Sequence, residues 1–320
     1  MGSREEVDAR LAMEEVTPLQ EEEKEYKEAI IEALTPEQAE KMTELDFITI
    51  IRGYQTYNPR KEETVKAAKM IADWRDKVDY YHFLDQRLEK DEMFHKLWPE
   101  SIYGEDKYGH PIVYMRVSEI DTDKLAEMNE EHMLRLQGQK QTAYLKYKED
   151  ISKRRGEQRY KYILIVDLKG TGMGILGGKK RGMLQKIFAV GADNFPESIW
   201  KIFVINTPFL FRTVWAMIKP WIHPITQAKI NIHGGVSDAV KKMKEAGISA
   251  TAIPELMGGS CKPVNTFEYM IGVIKANQEA AAEGGADADA AADDDEGDGD
   301  DAQEESADKA ADDMGHLAVV

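Results

Sequence analysis

Residues 196–234, PESIWKIFVINTPFLFRTVWAMIKPWIHPITQAKINIHG, decide the fold of this chain. The stretch contains two short apolar strand candidates, IFVIN and KINI. Between them, residues 208–222 are apolar on both faces, and Pro208 and Pro220 bracket a helix of about three turns. A helix of this kind is either buried on most sides or suited to a membrane interface. We expect a lid that closes over an apolar cavity and contacts lipid when open.

Further strand candidates lie upstream of this stretch. GHPIVYMRV begins at Gly109, YILIVD occupies 162–167, and a helical stretch covers about 180–194. A long polar helix with an apolar arc is expected from about Asp123 to Arg155. Continuous apolar strands separated by helices indicate a sheet covered on at least one face, and therefore an α/β fold.

The segment before the first strand is helical in pattern. Thr35 is placed as an N-cap, followed by a proline at the first helical position and a glutamine that closes a capping box. One helix is expected from there to Asn58-Pro59, and a second from about Lys61. Residues 35–92 are therefore predicted to form a compact helical unit.

A glycine motif follows the YILIVD strand. Gly172, Gly174 and Gly177 stand in the order G-x-G-x-x-G, which is typical of nucleotide-binding loops. The next strand ends in VINTP, without the acidic residue that binds a ribose, and Gly178 occupies the place of a P-loop lysine. We therefore expect a turn in this loop and no nucleotide.

Composition and charge exclude several classes of function. The 320 residues carry a net charge of −17, which argues against a nucleic-acid partner. Much of this charge lies in residues 286–313, which have no aromatic residue and are expected to be disordered. The single Cys261 excludes an internal disulfide and indicates a reducing, cytoplasmic setting. No nucleophile with a base and no H-x-x-x-H pair is found, so we expect no enzyme activity, no metal and no cofactor.

Several segments of the chain resemble one known protein family. Residues 196–234 resemble the lipid-exchange region of CRAL-TRIO proteins, the phosphatidylinositol-transfer-type lipid carriers. YILIVDLKG at 162–170, DKYGHPIVYMR at 106–116 and IPELMGGSC at 253–261 match as well, and the helical unit resembles the family's small companion domain. The resemblance implies a mixed sheet flanked by helices that form a lipid cavity, preceded by a small helical domain. The glycine loop then becomes a turn that lines the cavity.

The resemblance also implies a set of headgroup-binding residues. In relatives that bind phosphatidylinositol, a Pro-Glu pair and a P-x-T-x-x-K motif hold the inositol phosphate, together with a basic cluster in the helical domain. Glu197, Thr226 and Lys229 occupy the corresponding positions here, and Arg52 is retained from the basic cluster.

Other positions depart from these relatives. Gln55 and Tyr57 stand where they have arginines, and Asn58 replaces a lysine. Relatives that bind phosphatidylcholine carry serines after DLKG, where this chain has Thr, Gly, Met and Gly at 171–174. The resemblance therefore leaves the lipid open between phosphatidylinositol, another phospholipid and a non-phospholipid hydrophobe such as an isoprenoid.

The expected organisation has four parts: a charged N-terminal helical segment (1–34), the helical domain (35–92), the lipid-binding domain (93–262), and a short helix with the acidic tail (263–320). The expected partners are one lipid and, transiently, a membrane surface, with lipid transfer or presentation as the activity. A lipid-regulated adaptor for a small-GTPase pathway is the remaining alternative. The lid and acyl-chain contacts are expected from Phe209, Phe211, Val214, Trp215, Met217 and Ile218.

Overall fold

The computed structural model of this chain describes residues 4–172, 174, 177–209, 211–222 and 224–289. It is a mixed α/β structure. The helices are α1 (Arg4–Val16), α2 (Glu21–Ala33), α3 (Pro36–Lys41), α4 (Glu44–Gly53), α5 (Arg60–Val78), α6 (Asp91–Leu97), α7 (Thr122–Leu125), α8 (Glu130–Arg155), α9 (Lys179–Asn194), α10 (Phe211–Ile218), α11 (Pro224–Ala228), α12 (Val236–Glu245) and α13 (Thr266–Asp289). The strands are β1 (Ser101–Glu105), β2 (Pro111–Arg116), β3 (Tyr162–Asp167), β4 (Ile199–Ile205), β5 (Ile230–Ile232) and β6 (Val264–Asn265).

The six strands form one sheet in the order β5-β4-β3-β2-β1-β6. β2, β3, β4 and β5 run parallel, whereas β1 and β6 pair antiparallel at one edge. Both faces are covered, which explains the continuous apolar strands. On β3, Ile163 and Ile165 pack with α1 and α12, and the alternate residues Leu164 and Val166 face α8 and α9 on the other side.

Two expected helices are divided by local capping. Thr35 caps α3 with the predicted box, but α3 ends at Lys41, because the Thr43 hydroxyl accepts from the Asp46 amide and starts α4. In the same way Asn129 caps α8 at Glu130, so the helix expected from Asp123 is two helices. These corrections follow from side chains that compete with the helical backbone at a cap.

The N-terminal helix α1 is fixed to the sheet by buried charges. Asp8 pairs with Lys201 of β4 at 2.6 Å. Glu15 accepts from the backbone amide of Lys161 and contacts Nε2 of His110 at 2.7 Å, while Asp106 contacts the other ring nitrogen at 3.0 Å. These groups are almost fully buried, so removing one partner would leave a buried charge without compensation.

The C-terminal helix α13 lies against α8. Met270 and Ile274 bury their side chains with Ala143 and Leu84. The helix extends to Asp289, into the first residues of the acidic stretch 286–313. The rest of that stretch, for which disorder is predicted, lies outside the described residues.

Candidate lipid-binding site

An apolar cavity of about 350 Å³ lies between the α9 face of the sheet and helix α10. Tyr162, Leu164 and Val166 of β3 line it, because these alternate residues point to one face of the sheet. Leu184 and Phe188 of α9 form the opposite wall. The volume falls within the range of about 300–1,000 Å³ that is usual for ligand pockets.

The turn after β3 reaches this cavity through its first residues. Leu168 and Thr171 line the wall. The described glycines of the motif, Gly172, Gly174 and Gly177, are not among the lining residues. The turn therefore borders the cavity as expected. It does so through the residues that precede the glycine motif.

Helix α10 closes one side of the cavity. Phe211, Trp215 and Ile218 repeat at spacings of four and three residues, share one helix face, and line the cavity. Phe211 is buried and its ring stacks near that of Trp215, with 6.2 Å between centroids. Phe209 precedes the helix and is 99% exposed. The side chains of two further predicted lid residues, Val214 and Met217, lie outside the described ones.

Glu197, Thr226 and Lys229 line one end of the cavity, which we call the polar end. Glu197 has a φ of 55°, a left-handed conformation that is uncommon for a residue with a side chain. Its carboxylate lies 3.4 Å from Nζ of Lys229, which also donates to the carbonyl of Ile199 at 3.0 Å. The structure thus brings together three of the four predicted headgroup residues.

A second lysine holds the same carboxylate. Nζ of Lys161 lies 2.7 Å from Oε2 of Glu197, whereas Lys229 lies near Oε1. Burial raises the pKa of Glu197, but the charges of Lys161 and Lys229 outweigh it and hold this pKa below its ordinary value. For Lys229, burial lowers the pKa, Glu197 opposes the shift, Lys161 adds to it, and the net change is a lowering. Lys229 is the more exposed lysine of the two.

Arg52 is not placed at the polar end. It is 3% exposed and forms an ion pair with Glu23 at 3.0 Å. Its guanidinium also donates to the carbonyl oxygens of Glu14, at 2.6 Å, and Thr17, at 2.9 Å. Arg52 therefore ties the connection between α1 and α2 to α4.

Sequence reasoning missed two groups at this end. Lys161 stands immediately before a strand, and the sequence contains no signal of its partner, because the contact depends on how β3 and β4 pair. Tyr54 and Tyr57 line the cavity beside Glu197. The replacement of a basic residue by Tyr57 is the signal that the sequence offers for these rings.

The described residues contain neither a metal-binding cluster nor a membrane-spanning helix. Within them, no group of three or more His, Cys, Asp or Glu side chains is arranged to hold a metal ion. None of the described helices has the length and apolar character needed to cross a bilayer.

The structure combines a mixed α/β sheet with an apolar cavity that has charged residues at one end and helix α10 on one side. A family model for the CRAL/TRIO domain matches residues 95–259, just over half of the chain. The chain therefore belongs to the CRAL/TRIO domain family, and the predicted resemblance and fold are confirmed.

Individual relatives agree with this assignment. The chain is 29% identical over 218 residues to the phosphatidylinositol/phosphatidylcholine transfer protein SFH7 of Arabidopsis thaliana, which covers 63% of this chain and 38% of the relative. It is 27% identical over 243 residues to the SEC14 cytosolic factor of Yarrowia lipolytica. This match covers 71% of this chain and 48% of the relative. The chain thus spans less than half the length of these curated relatives.

A solved structure, the crystal structure of Sfh5, shares the fold with a TM-score of 0.52 and 15% sequence identity. The match covers 70% of this chain and 84% of that chain. At this identity the likeness concerns the fold alone.

Proposed function

We propose that the protein encloses one phospholipid molecule in this cavity and transfers it between membranes. The observation that carries the proposal is the apolar cavity with a single charged end, closed on one side by α10. The relative SFH7 is named as a phosphatidylinositol/phosphatidylcholine transfer protein, which supports this proposal.

The energetics favour an enclosed lipid. A diacyl lipid buries on the order of 30 methylenes at about 0.8 kcal/mol each, or roughly 25 kcal/mol. An open groove would leave much of this surface in water. A closed cavity with a movable wall provides the burial and also a route for entry, and α10 is the wall that combines an apolar inner face with an exposed Phe209 beside it.

The polar end supplies the few oriented groups that a headgroup needs. We assign Lys229 to the lipid phosphate, because it is a cation at the cavity wall and is only loosely paired with Glu197 at 3.4 Å. Glu197 and Thr226 are assigned to hydroxyl or amide hydrogen bonds of the headgroup. A charge-assisted contact is worth about 1.5–3 kcal/mol, so Lys229→Ala should weaken phospholipid binding roughly 10- to 100-fold.

The test is phospholipid transfer between vesicles by the full chain. The double variant Phe211→Asp with Trp215→Asp places charges on the cavity face of α10 and should abolish transfer. Leu256→Asp is the matched control, because Leu256 is an exposed apolar residue that does not line the cavity. Circular dichroism establishes that each variant is folded. Transfer at the wild-type rate by the folded double variant would contradict the proposal.

A further inference from the structure

The apolar wall of the cavity contains a polar side chain without a partner. Gln137 of α8 lines the cavity and is 5% exposed. Its Oε1 atom is buried, and no hydrogen-bond donor among the described residues reaches it. A buried carbonyl without a donor destabilises a fold, because the group has lost its hydrogen bonds to water. Gln137 is therefore costly at this position unless a ligand supplies the missing hydrogen bond.

Gln137 lies away from the polar end of the cavity. On the same helix, Tyr144 packs against Tyr162, with 5.8 Å between the ring centroids. Tyr162 begins β3 and pairs with the start of β4, just after Glu197. Gln137 is seven positions earlier on α8 than Tyr144, which corresponds to about 10 Å along the helix axis. The residue before Gln137 is in one apolar cluster with Val166, near the other end of β3, so this distance leads away from Glu197.

A second cavity-lining side chain has the same property. Thr171 follows the C-terminal end of β3, and its buried Oγ1 has no partner within the part of the chain that the structure describes. Gln141 lies one helical turn from Gln137 on the same face of α8, towards the polar end, and lines the cavity too. The wall that faces the hydrophobic part of a lipid thus contains polar groups that a plain hydrocarbon chain cannot satisfy.

A hydroxyl group is the ligand group that suits Gln137. It can donate to the amide oxygen and can also accept from the amide nitrogen, so it satisfies either atom of the side-chain amide. A charged ligand group would have no counter-charge here, because the charged side chains among the described lining residues are Glu197 and Lys229 at the polar end. The ester oxygens of a glycerophospholipid only accept hydrogen bonds, and they lie close to the phosphate.

We propose that Gln137 binds a hydroxyl group on the hydrophobic part of the lipid, about 10 Å along the cavity from the headgroup. The inference rests on the proposed function and specifies its substrate. With the phosphate at Lys229, the hydroxyl belongs to an acyl chain, so phospholipids with hydroxylated chains are preferred to those with plain chains. The hydroxyl of a sterol has the same chemistry, and the experiment separates the two sources.

Equilibrium loading of the full chain from vesicles tests this site. The vesicles contain equal amounts of phosphatidylinositol and phosphatidylcholine with oleoyl, alpha-hydroxyoleoyl or ricinoleoyl chains, together with cholesterol. These chains differ in whether they carry a hydroxyl and in its distance from the carbonyl. The lipid bound to the re-isolated protein is identified by mass spectrometry. We expect at least one hydroxylated lipid to be bound roughly tenfold in excess over the oleoyl lipid with the same headgroup.

Gln137→Leu should remove this preference and leave loading of the oleoyl lipids intact. It should not lower the free energy of unfolding of the lipid-free protein in urea, because an apolar side chain replaces a polar one without a partner. Gln137→Met, which keeps the unbranched shape, repeats the test if the leucine variant does not fold. Gln86→Leu, at an exposed glutamine outside the cavity, is the matched control and should keep the preference.

The outcomes separate this site from the proposed function. Equal loading of hydroxylated and oleoyl lipids by the wild type, or an unchanged preference in Gln137→Leu, would overturn the hydroxyl site alone. Destabilisation by Gln137→Leu with equal losses of all lipids would show a structural role for Gln137 and would overturn the site as well. Loading of cholesterol without any phospholipid would assign the hydroxyl to a sterol and overturn the proposed function.

Discussion

Lys161 and Glu197 form a buried ion pair behind the polar end of the cavity, with 2.7 Å between Nζ and the nearer carboxylate oxygen. Both side chains are less than a tenth exposed. Because Lys161 holds one carboxylate oxygen of Glu197 closely, Lys229 is only loosely paired with the other, at 3.4 Å, and can contact a ligand in the proposed mechanism. Lys161 is therefore a positioning residue in the proposed mechanism.

Lys161→Met should reduce phospholipid transfer about tenfold, because Lys229 would then be drawn to the uncompensated Glu197. Lys161→Arg should restore most of the rate, since it keeps the positive charge. The measurement is the transfer rate together with the apparent affinity for the lipid. Lys201→Met is the matched control: Lys201 is a similarly buried lysine of β4, paired with Asp8 at 2.6 Å, outside the cavity. Equal losses of transfer in both methionine variants would argue for a merely structural role of Lys161.

Glu15→Gln should destabilise the protein at neutral pH. It should also make the free energy of unfolding less dependent on pH in the acid range. Burial raises the pKa of Glu15, but its hydrogen bonds and the charges of His110 and Lys161 outweigh this and lower the pKa from 4.5 to about 2. A carboxyl with a lowered pKa stabilises the fold above its unfolded-state pKa and loses this contribution as the pH falls from about 4.5 towards 2. The contribution is roughly 3 kcal/mol.

The measurement for Glu15 is the free energy of unfolding in urea across that pH range. Glu14→Gln, one position away on α1 and less buried, serves as the control. If Glu15→Gln and the wild type lose stability in parallel below about pH 4.5, the lowered pKa of Glu15 does not contribute as described.

Asp193→Asn should stabilise the lipid-free protein near neutral pH. Burial raises the pKa of Asp193 from 3.8 to about 6, so ionisation of this group costs the folded state free energy as the pH rises through that interval. The variant cannot ionise and should gain roughly 3 kcal/mol above about pH 6, with little gain near pH 4. Urea unfolding at both pH values measures this. A gain that is independent of pH would point to a packing effect instead.

Phe209→Asp should leave the fold intact and slow docking on membranes. Phe209 is 99% exposed, so its replacement removes no buried contact and should change the free energy of unfolding by less than about 0.5 kcal/mol. Its apolar ring lies at the start of the proposed lid, where a charge would oppose insertion into the interface. Co-sedimentation with phosphatidylcholine vesicles compares this variant with Leu256→Asp, an exposed position away from α10. Equal membrane binding by the wild type and both variants would show that Phe209 does not contribute to membrane binding.

The sequence predicted the parallel strands, and most clearly β2, β3 and β4, because these three are largely buried and have mainly apolar sequences. It missed β1, in which only the second and third residues are fully buried and Gly104 interrupts the pattern. That glycine is needed for close packing, since a Cβ there would lie 2.7 Å from Cα of Ala252. Such a requirement arises from the tertiary structure and has no local sequence signal.

The candidate site was predictable only where a motif carried it. Glu197, Thr226 and Lys229 follow from the resemblance, and the structure places them at one end of the cavity. Lys161 acquires its contact with Glu197 from the pairing of β3 with β4, which a single sequence does not encode in any short pattern. Residues of this kind become visible only when distant segments are brought together.

The anchoring of α1 determines how this protein unfolds. Asp8 and Glu15 lie almost 200 and 100 residues before their partners Lys201 and His110, and all four side chains are buried. Detaching the first helix would expose the sheet surface beneath it and leave Lys201 and His110 without their charged partners, so separate opening of this helix is costly. Residues 4–16 and the CRAL/TRIO domain should therefore melt in one cooperative transition. The cooperative unit therefore includes α1, which lies far upstream of the segment that the family model matches.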